Sequence, residues 1–103
     1  MKAAVGKQVK LLPVSEVVYF QSDTKYTRVV AARREGLIRK SIKELTLELD
    51  PRVFWQVHRA TIVNLRHVAG VSRDYRGQYV VKFRQRAETL PVSTTFAHRF
   101  RQM

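Results

Sequence analysis

The sequence predicts a mostly β single domain, with one helix near residues 41–49 and a short helix at the C-terminus. Three observations lead there. Short runs of β-branched and aromatic residues recur at intervals of roughly 8–12 residues. Helical spacing behind a capping signal occurs in one interior stretch. Nothing shows the strand–helix–strand alternation that demands a parallel sheet. A chain of 103 residues, 45% of them hydrophobic, suits one domain with one modest core.

Residues 1–6 carry neither alternation nor an apolar stretch and read as disordered or linker-like, not as a signal peptide. The folded domain is expected over 7–103. From Gln8 to Leu12 polar and apolar residues alternate, with Val9 and Leu11 on one side of a strand. Val17-Val18-Tyr19-Phe20 is a buried-strand run, and Gln21-Ser22-Asp23-Thr24-Lys25 has turn chemistry. Strand character resumes from Tyr26 to Ala32, and Glu35-Gly36 turns the chain towards a strand at Leu37 to Lys40.

Ser41 with Glu44 three residues on is a capping-box pattern, and Ile42, Leu45 and Leu49 share one helical face. Asp50-Pro51 stops that helix, because the residue before proline is pushed out of the α region. A bulky strand follows at Val53 to Val57, then Ile62-Val63 as a buried pair. His67 to Ser72 and Gln78 to Arg84 read as a hairpin around Asp74-Tyr75-Arg76-Gly77, with Tyr79, Val81 and Phe83 on one face of the second arm. Glu88 to Val92 is a last strand. Ser93 caps a terminal helix whose inner side carries Phe96 and Phe100 at i, i+4.

Twenty Lys and Arg against eight Asp and Glu give a net charge of +12. Such a surface attracts polyanions. Arginine outnumbers lysine, and its planar fork suits phosphate and guanine edges better than a point charge does. The chain has no cysteine, which excludes disulfides and thiolate metal sites. Three histidines without a tight carboxylate cluster do not make a metal site, and no cofactor is expected. No nucleophile–base pairing, phosphate-binding glycine loop or paired acids suggest an enzyme. No apolar run approaches the ~18 residues of a membrane span, so a cytoplasmic protein is expected.

The stretch Phe54-Trp55-Gln56-Val57-His58-Arg59-Ala60-Thr61-Ile62-Val63-Asn64-Leu65 is the most informative. With Val18-Tyr19-Phe20-Gln21 upstream, Ser41-Ile42-Lys43-Glu44-Leu45 between, and Leu90-Pro91-Val92-Ser93 near the end, it resembles the LytTR family of DNA-binding domains. The His-Arg-x-x-Ile-Val-Asn core is the specific part, and the likeness runs from about residue 7 to the C-terminus. The resemblance implies an elongated, mainly antiparallel β domain whose loops enter successive major grooves. It implies the output domain of a two-component response regulator, with a receiver domain in the same full-length chain and promoter direct repeats as the target. It also implies an isolated domain that is monomeric and pairs on DNA.

Three family regions supply DNA contacts, and they fall here on Lys25, Thr27 and Arg28, on Arg59, and on Ser93, Thr94 and Thr95. The family commonly has arginine after the late serine, where this chain has two threonines. A hydroxyl and a methyl reach a phosphate or a thymine methyl, but they make no bidentate contact to guanine. Arg99 and Arg101 are helpers only if the last helix turns them outward. His58 and Asn64 are expected to orient loops, His58 beside Arg59 and Asn64 by pairing backbone in a turn. Arg73, Arg76, Arg84 and Arg86, at hairpin ends, are expected to build field or touch backbone without base specificity.

Each of these residues also has an ordinary explanation. For Arg59, Lys25 and Arg28 it is a solvated surface charge, which the motif and the turn position disfavour, and for Phe54 it is the core, the favoured reading. Two further functions remain open. Phe54, Trp55 and Tyr79 on β surfaces suit a single-stranded nucleic-acid binder. The charge alone suits a basic protein-interaction module.

Overall fold

A strand apolar on both sides needs cover on both sides. The run Val17–Phe20 receives it, with none of its four residues more than 1% exposed. The computed structural model describes the backbone of residues 1–101 and the side chains of residues 1–100. It is elongated, with extents of 40 × 26 × 25 Å.

The strands are β1 (Lys2–Val5), β2 (Gln8–Leu11), β3 (Val17–Asp23), β4 (Tyr26–Ala31), β5 (Glu35–Ile38), β6 (Phe54–His58), β7 (Thr61–Asn64), β8 (Val68–Arg73), β9 (Tyr79–Phe83) and β10 (Thr89–Pro91). The helices are α1 (Ile42–Glu48) and α2 (Thr94–Arg101), with 3-10 turns at Val14–Glu16 and Leu65–His67. Seven strands make one antiparallel sheet in the order β2-β1-β5-β4-β3-β7-β6, and three make a second in the order β10-β9-β8. The mostly β class, the helix at 41–49 and the C-terminal helix therefore stand as the sequence predicts.

Strand parity builds two cores. Phe20 lies opposite Val29 and Ile62, and this row packs with Ile42 and Leu45 of α1. Tyr19 lies opposite Val30 and Val63, and that row meets Val81 and Phe83 of the small sheet and Ala97 of α2. The large sheet is thus the middle layer, with α1 on one face and the small sheet plus α2 on the other. The capping box is formed as expected: the Ser41 hydroxyl accepts from the Glu44 N–H at 3.1 Å, and the Ser41 N–H donates to the Glu44 carboxylate at 3.3 Å.

One expectation is corrected. Residues 2–5 are not linker-like: they form β1, paired with β2 throughout and with β5 at Ala4–Leu37. Ala3 is 1% exposed there. Small residues give no alternation signal, but they let β1 lie close over Gly36. In β2 the strand exists while its apolar side is uncovered, with Val9 and Leu11 72% and 71% exposed. β2 is an edge strand, and neither outer layer extends over it.

Gly36 carries a testable consequence. A Cβ there would stand 2.8 Å from Ala3 Cβ and 3.1 Å from the Ala4 carbonyl oxygen. Backbone atoms cannot swing aside as a flexible side chain does, so Gly36→Ala must displace β1. Overpacking of this kind costs about 1–3 kcal/mol, a fall in Tm of roughly 5–20 °C for a domain of this size. A calorimetric Tm equal to that of the parent chain would mean that β1 does not pack on β5 in solution.

Among the described residues no helix is long and apolar enough to cross a membrane, and no group of three or more His, Cys, Asp or Glu is placed to hold a metal ion.

Candidate nucleic-acid interface

Antiparallel pairing decides which loops become neighbours. Because β3 runs against β7, the end of β3 lies beside the start of β7, with Gln21 opposite Thr61. One further bond, Ser22 N–H to the Ala60 carbonyl at 2.8 Å, ties the approach to the β3–β4 turn to the β6–β7 turn. A third segment joins them. β6 bulges between Gln56 and His58, and the carbonyl of Val57 accepts the Ser93 N–H at 2.9 Å. Ser93 in turn offers its carbonyl to the N–H groups of Phe96 and Ala97 at 3.0 Å, which starts α2 at that point. Lys25, Arg59 and the Ser93–Thr95 segment thus come to one end of the large sheet from positions far apart in sequence.

Each member is presented to solvent. Lys25 occupies a two-residue turn, since Asp23 pairs with Tyr26. Thr24 beside it has φ of 55°, a left-handed conformation that a β-branched residue adopts only under strain. Arg59 is exposed, with no ion pair or hydrogen bond among the described residues. Thr94 and Thr95 are exposed and Ser93 half-buried. They stand in the first turn of α2, where peptide N–H groups point outward and favour anions, and no acidic residue occupies that turn.

The His58 Nδ1 accepts the Ala60 N–H at 3.1 Å, across the turn that carries Arg59. Asn64 is fully buried and sits at the other end of β7. Its amide donates to the Val17 carbonyl at 2.8 Å and its oxygen accepts the Arg66 N–H at 3.0 Å. It orders the 3-10 turn after β7, not the loop of Arg59.

Two expected contacts lie elsewhere. Thr27 is 2% exposed, and its hydroxyl donates to the Lys40 carbonyl at 2.6 Å, so it is out of reach of a base. Parity explains this: Thr27 follows Val29 towards α1. Arg28 follows Val30 to the opposite face, where it donates to Glu35 at 2.7 Å, to Gln21 at 3.0 Å and to the Tyr19 hydroxyl at 3.3 Å. Arg86 completes that network, bonding Glu35, Glu88 and the Ala31 carbonyl at 2.9, 2.9 and 3.2 Å. It clamps the β9–β10 connection to the large sheet.

The electrostatics fit a structural role for the network. Hydrogen bonding to Arg28, reinforced by Arg86, holds the Glu35 carboxyl below the usual carboxylate range. Burial, together with its bond to Glu88, pushes the Tyr19 phenol up to about 12. Arg28 and Arg86 therefore spend their charge inside the molecule.

The aromatic residues considered for stacking are already engaged. Phe54 is core at 9% exposure. Trp55 donates its indole N–H to the Pro51 carbonyl at 3.1 Å, packs on Phe100 at 5.4 Å and carries the Arg99 guanidinium at 5.8 Å. Tyr79 carries that of Arg73 at 4.9 Å. Arg99 is exposed, while the side chain of Arg101 lies outside the described residues. The sequence reading missed three features of this end of the molecule: the strained Thr24, the bulge at Val57 and the Ser22–Ala60 bond. Each depends on strand register, which leaves no mark on composition or spacing.

Comparison with known proteins points the same way. The family model of the LytTr DNA-binding domain matches residues 7–103. Over 98% of its length the chain is 37% identical to an uncharacterized response regulatory protein of Vibrio cholerae serotype O1, covering 40% of that protein. Over 94% of its length it is 24% identical to the transcriptional regulatory protein YpdB of Escherichia coli K12 and 28% identical to the CO-responsive transcriptional regulator RcoM of Rhodospirillum rubrum, covering 40% and 41% of them. The chain thus spans about 40% of the length of these relatives. Among solved structures it is similar to a LytTr DNA-binding domain from Bacillus cereus, with a TM-score of 0.89 and 26% identity over 99% of this chain and 93% of that one.

Proposed function

Because this chain belongs to the LytTr DNA-binding domain family, we propose that the end of the sheet carrying Lys25, Arg59 and Ser93–Thr95 reads sequence in double-stranded DNA. The family makes it a DNA-binding domain of transcription regulators and not an enzyme. The observation that carries the finer reading is the convergence of three solvent-facing segments at one end, with an arginine at their centre that no carboxylate among the described residues neutralises.

In this reading the segments enter successive major grooves. Arg59 reads a base edge through its two-pronged guanidinium, held in register by the His58–Ala60 bond. Lys25 meets phosphate at the strained turn. Ser93, Thr94 and Thr95 meet phosphate or a thymine methyl at the start of α2. Thr27 is left out because it is buried, and Arg28 because Glu35 holds it. The domain acts as the output of a two-component regulator, joined to a receiver in one polypeptide and working on promoter DNA in the cytoplasm. Alone it is a monomer, and two copies pair on direct repeats.

Selection of bound duplexes from a random pool tests this, followed by titration of the winner at several salt concentrations. The expected result is a pair of short repeats about one helical turn apart, with log affinity falling linearly against log salt. Equal affinity for every duplex, or tighter binding to single strands, would sink base readout. Lys25→Ala separates positioning from reading. It is expected to weaken selected and random duplexes alike and to lower the salt slope by about 1. A loss confined to the selected duplex would instead make Lys25 a base contact.

A further inference from the structure

The arginines of this chain do not present their charge alike. Arg28, Arg34, Arg52 and Arg86 are paired with carboxylates. Arg73 and Arg76 are seated on aromatic rings instead. The Arg73 guanidinium lies 4.9 Å from the centroid of Tyr79, its cross-strand partner, and donates to the Tyr79 hydroxyl at 2.9 Å. That of Arg76 lies 5.3 Å from the Tyr75 ring, and its Nε donates to the Tyr75 hydroxyl at 3.0 Å. Neither makes an ion pair among the described residues. An ion pair neutralises a guanidinium. A ring seat restrains it while leaving the charge and the remaining N–H groups available to an anion.

The hairpin that carries them is ordered in the same sense. Asp74, the one acid near either guanidinium in sequence, is engaged by the turn itself: its Oδ1 accepts from the Arg76 and Gln78 N–H groups at 2.9 and 3.0 Å. Gly77, at φ of +81°, closes the turn. Arg73, Arg76 and Tyr75 are exposed, Tyr75 to 89%. Arg73 and Arg76 also line an open depression of about 480 Å³ shared with Val92 and Thr94. The hairpin tip therefore adjoins the start of α2, one of the three segments assigned above to DNA.

We infer that Arg73 and Arg76 form a phosphate clamp that grips the DNA backbone beside the base-reading end, an inference that rests on the duplex reading above. Arg84 and Lys82, on the same hairpin, have no ring seat among the described residues and take no part. Arg86, taken up by Glu35 and Glu88, is excluded as well. The clamp gives affinity and footprint without sequence preference, since phosphate contacts position a protein and base contacts specify its site.

The test compares the parent chain with the Arg73→Gln/Arg76→Gln variant on the selected duplex and on a random one, across salt concentrations, with a backbone-cleavage footprint. Both side chains are exposed, so Tm should not move. The expected result is roughly tenfold weaker binding to both duplexes, a salt slope smaller by about 2 and loss of protection at one flank of the site. Arg73→Lys/Arg76→Lys should restore the slope, because lysine also binds phosphate as a point charge. Parent-like affinity and footprint in the Gln variant would overturn the clamp. If Arg59→Ala still lost discrimination in that experiment, the duplex reading would stand without it. A parent chain that bound no duplex would remove both.

Discussion

Arg59→Ala is expected to lose discrimination, not merely affinity. A bidentate contact to a base edge is worth about 1–3 kcal/mol against the wrong base at that position. The variant should therefore bind the selected duplex about 5- to 150-fold more weakly than the parent chain while changing far less on a random duplex. The reason lies in the surroundings of Arg59: it is exposed and has no partner among the described residues, and the turn that carries it is braced by Ala60 N–H to His58 and by Ser22 N–H to the Ala60 carbonyl. A braced donor loses little freedom on binding, so most of its contact energy appears as preference. Arg59→Lys sharpens the test, since it keeps the charge and removes the fork. It should preserve binding to random DNA and its salt slope while losing the preferred base. If both variants weakened selected and random duplexes equally, Arg59 would be a phosphate contact, and base reading would have to come from Thr94 and Thr95.

Asn64→Ala carries the largest expected effect on stability. Its side chain is fully buried and bridges the Val17 carbonyl and the Arg66 N–H. Truncation leaves the Val17 carbonyl, inside a residue at 0% exposure, without that partner. An unsatisfied buried polar group costs about 1–3 kcal/mol, and the second lost bond adds about 1. A total near 2–4 kcal/mol corresponds to a fall in Tm of roughly 10–30 °C for a domain of this size, readable by circular dichroism. The folded fraction should keep its preference for the selected duplex, because Asn64 stands at the end of β7 away from Arg59. A Tm close to that of the parent chain would show that the bridge contributes little. A changed base preference would move Asn64 into the interface.

In the proposed reading these two residues of one motif therefore do different work. The motif His58-Arg59-x-x-Ile62-Val63-Asn64 spans one short turn and one strand, so its spacing places Arg59 at one end of β7 and Asn64 at the other. One end faces solvent and the other faces the start of β3. In that reading the segment serves binding at Arg59 and folding at Asn64, while His58 and Asn64, both expected to orient loops, accept backbone N–H groups in turns at opposite ends of β7.

What the sequence determined by itself is local. The capping box at Ser41 and Glu44, the stop at Asp50-Pro51 and the alternation along Tyr79–Phe83 rest on contacts between residues a few positions apart, and they form as expected. The charge of +12 and the motif around Arg59 pointed to nucleic acid for similar reasons, since each belongs to composition or to one continuous stretch. What only the tertiary structure decided is parity and partnership. Val29, Val30 and Ala31 are all apolar, so the pattern did not say which face of β4 met which layer; packing against α1 turned Thr27 inward and Arg28 into the network with Glu35. Arg86 and Glu35 pair across 51 positions, and β1 reaches its place through small residues that carry no periodicity. An arginine held by a carboxylate, one seated on a tyrosine and one open to solvent read alike along the chain. Which of them remains available to DNA depends on strands brought together from distant positions, where burial and pairing decide how far each charge is already neutralised.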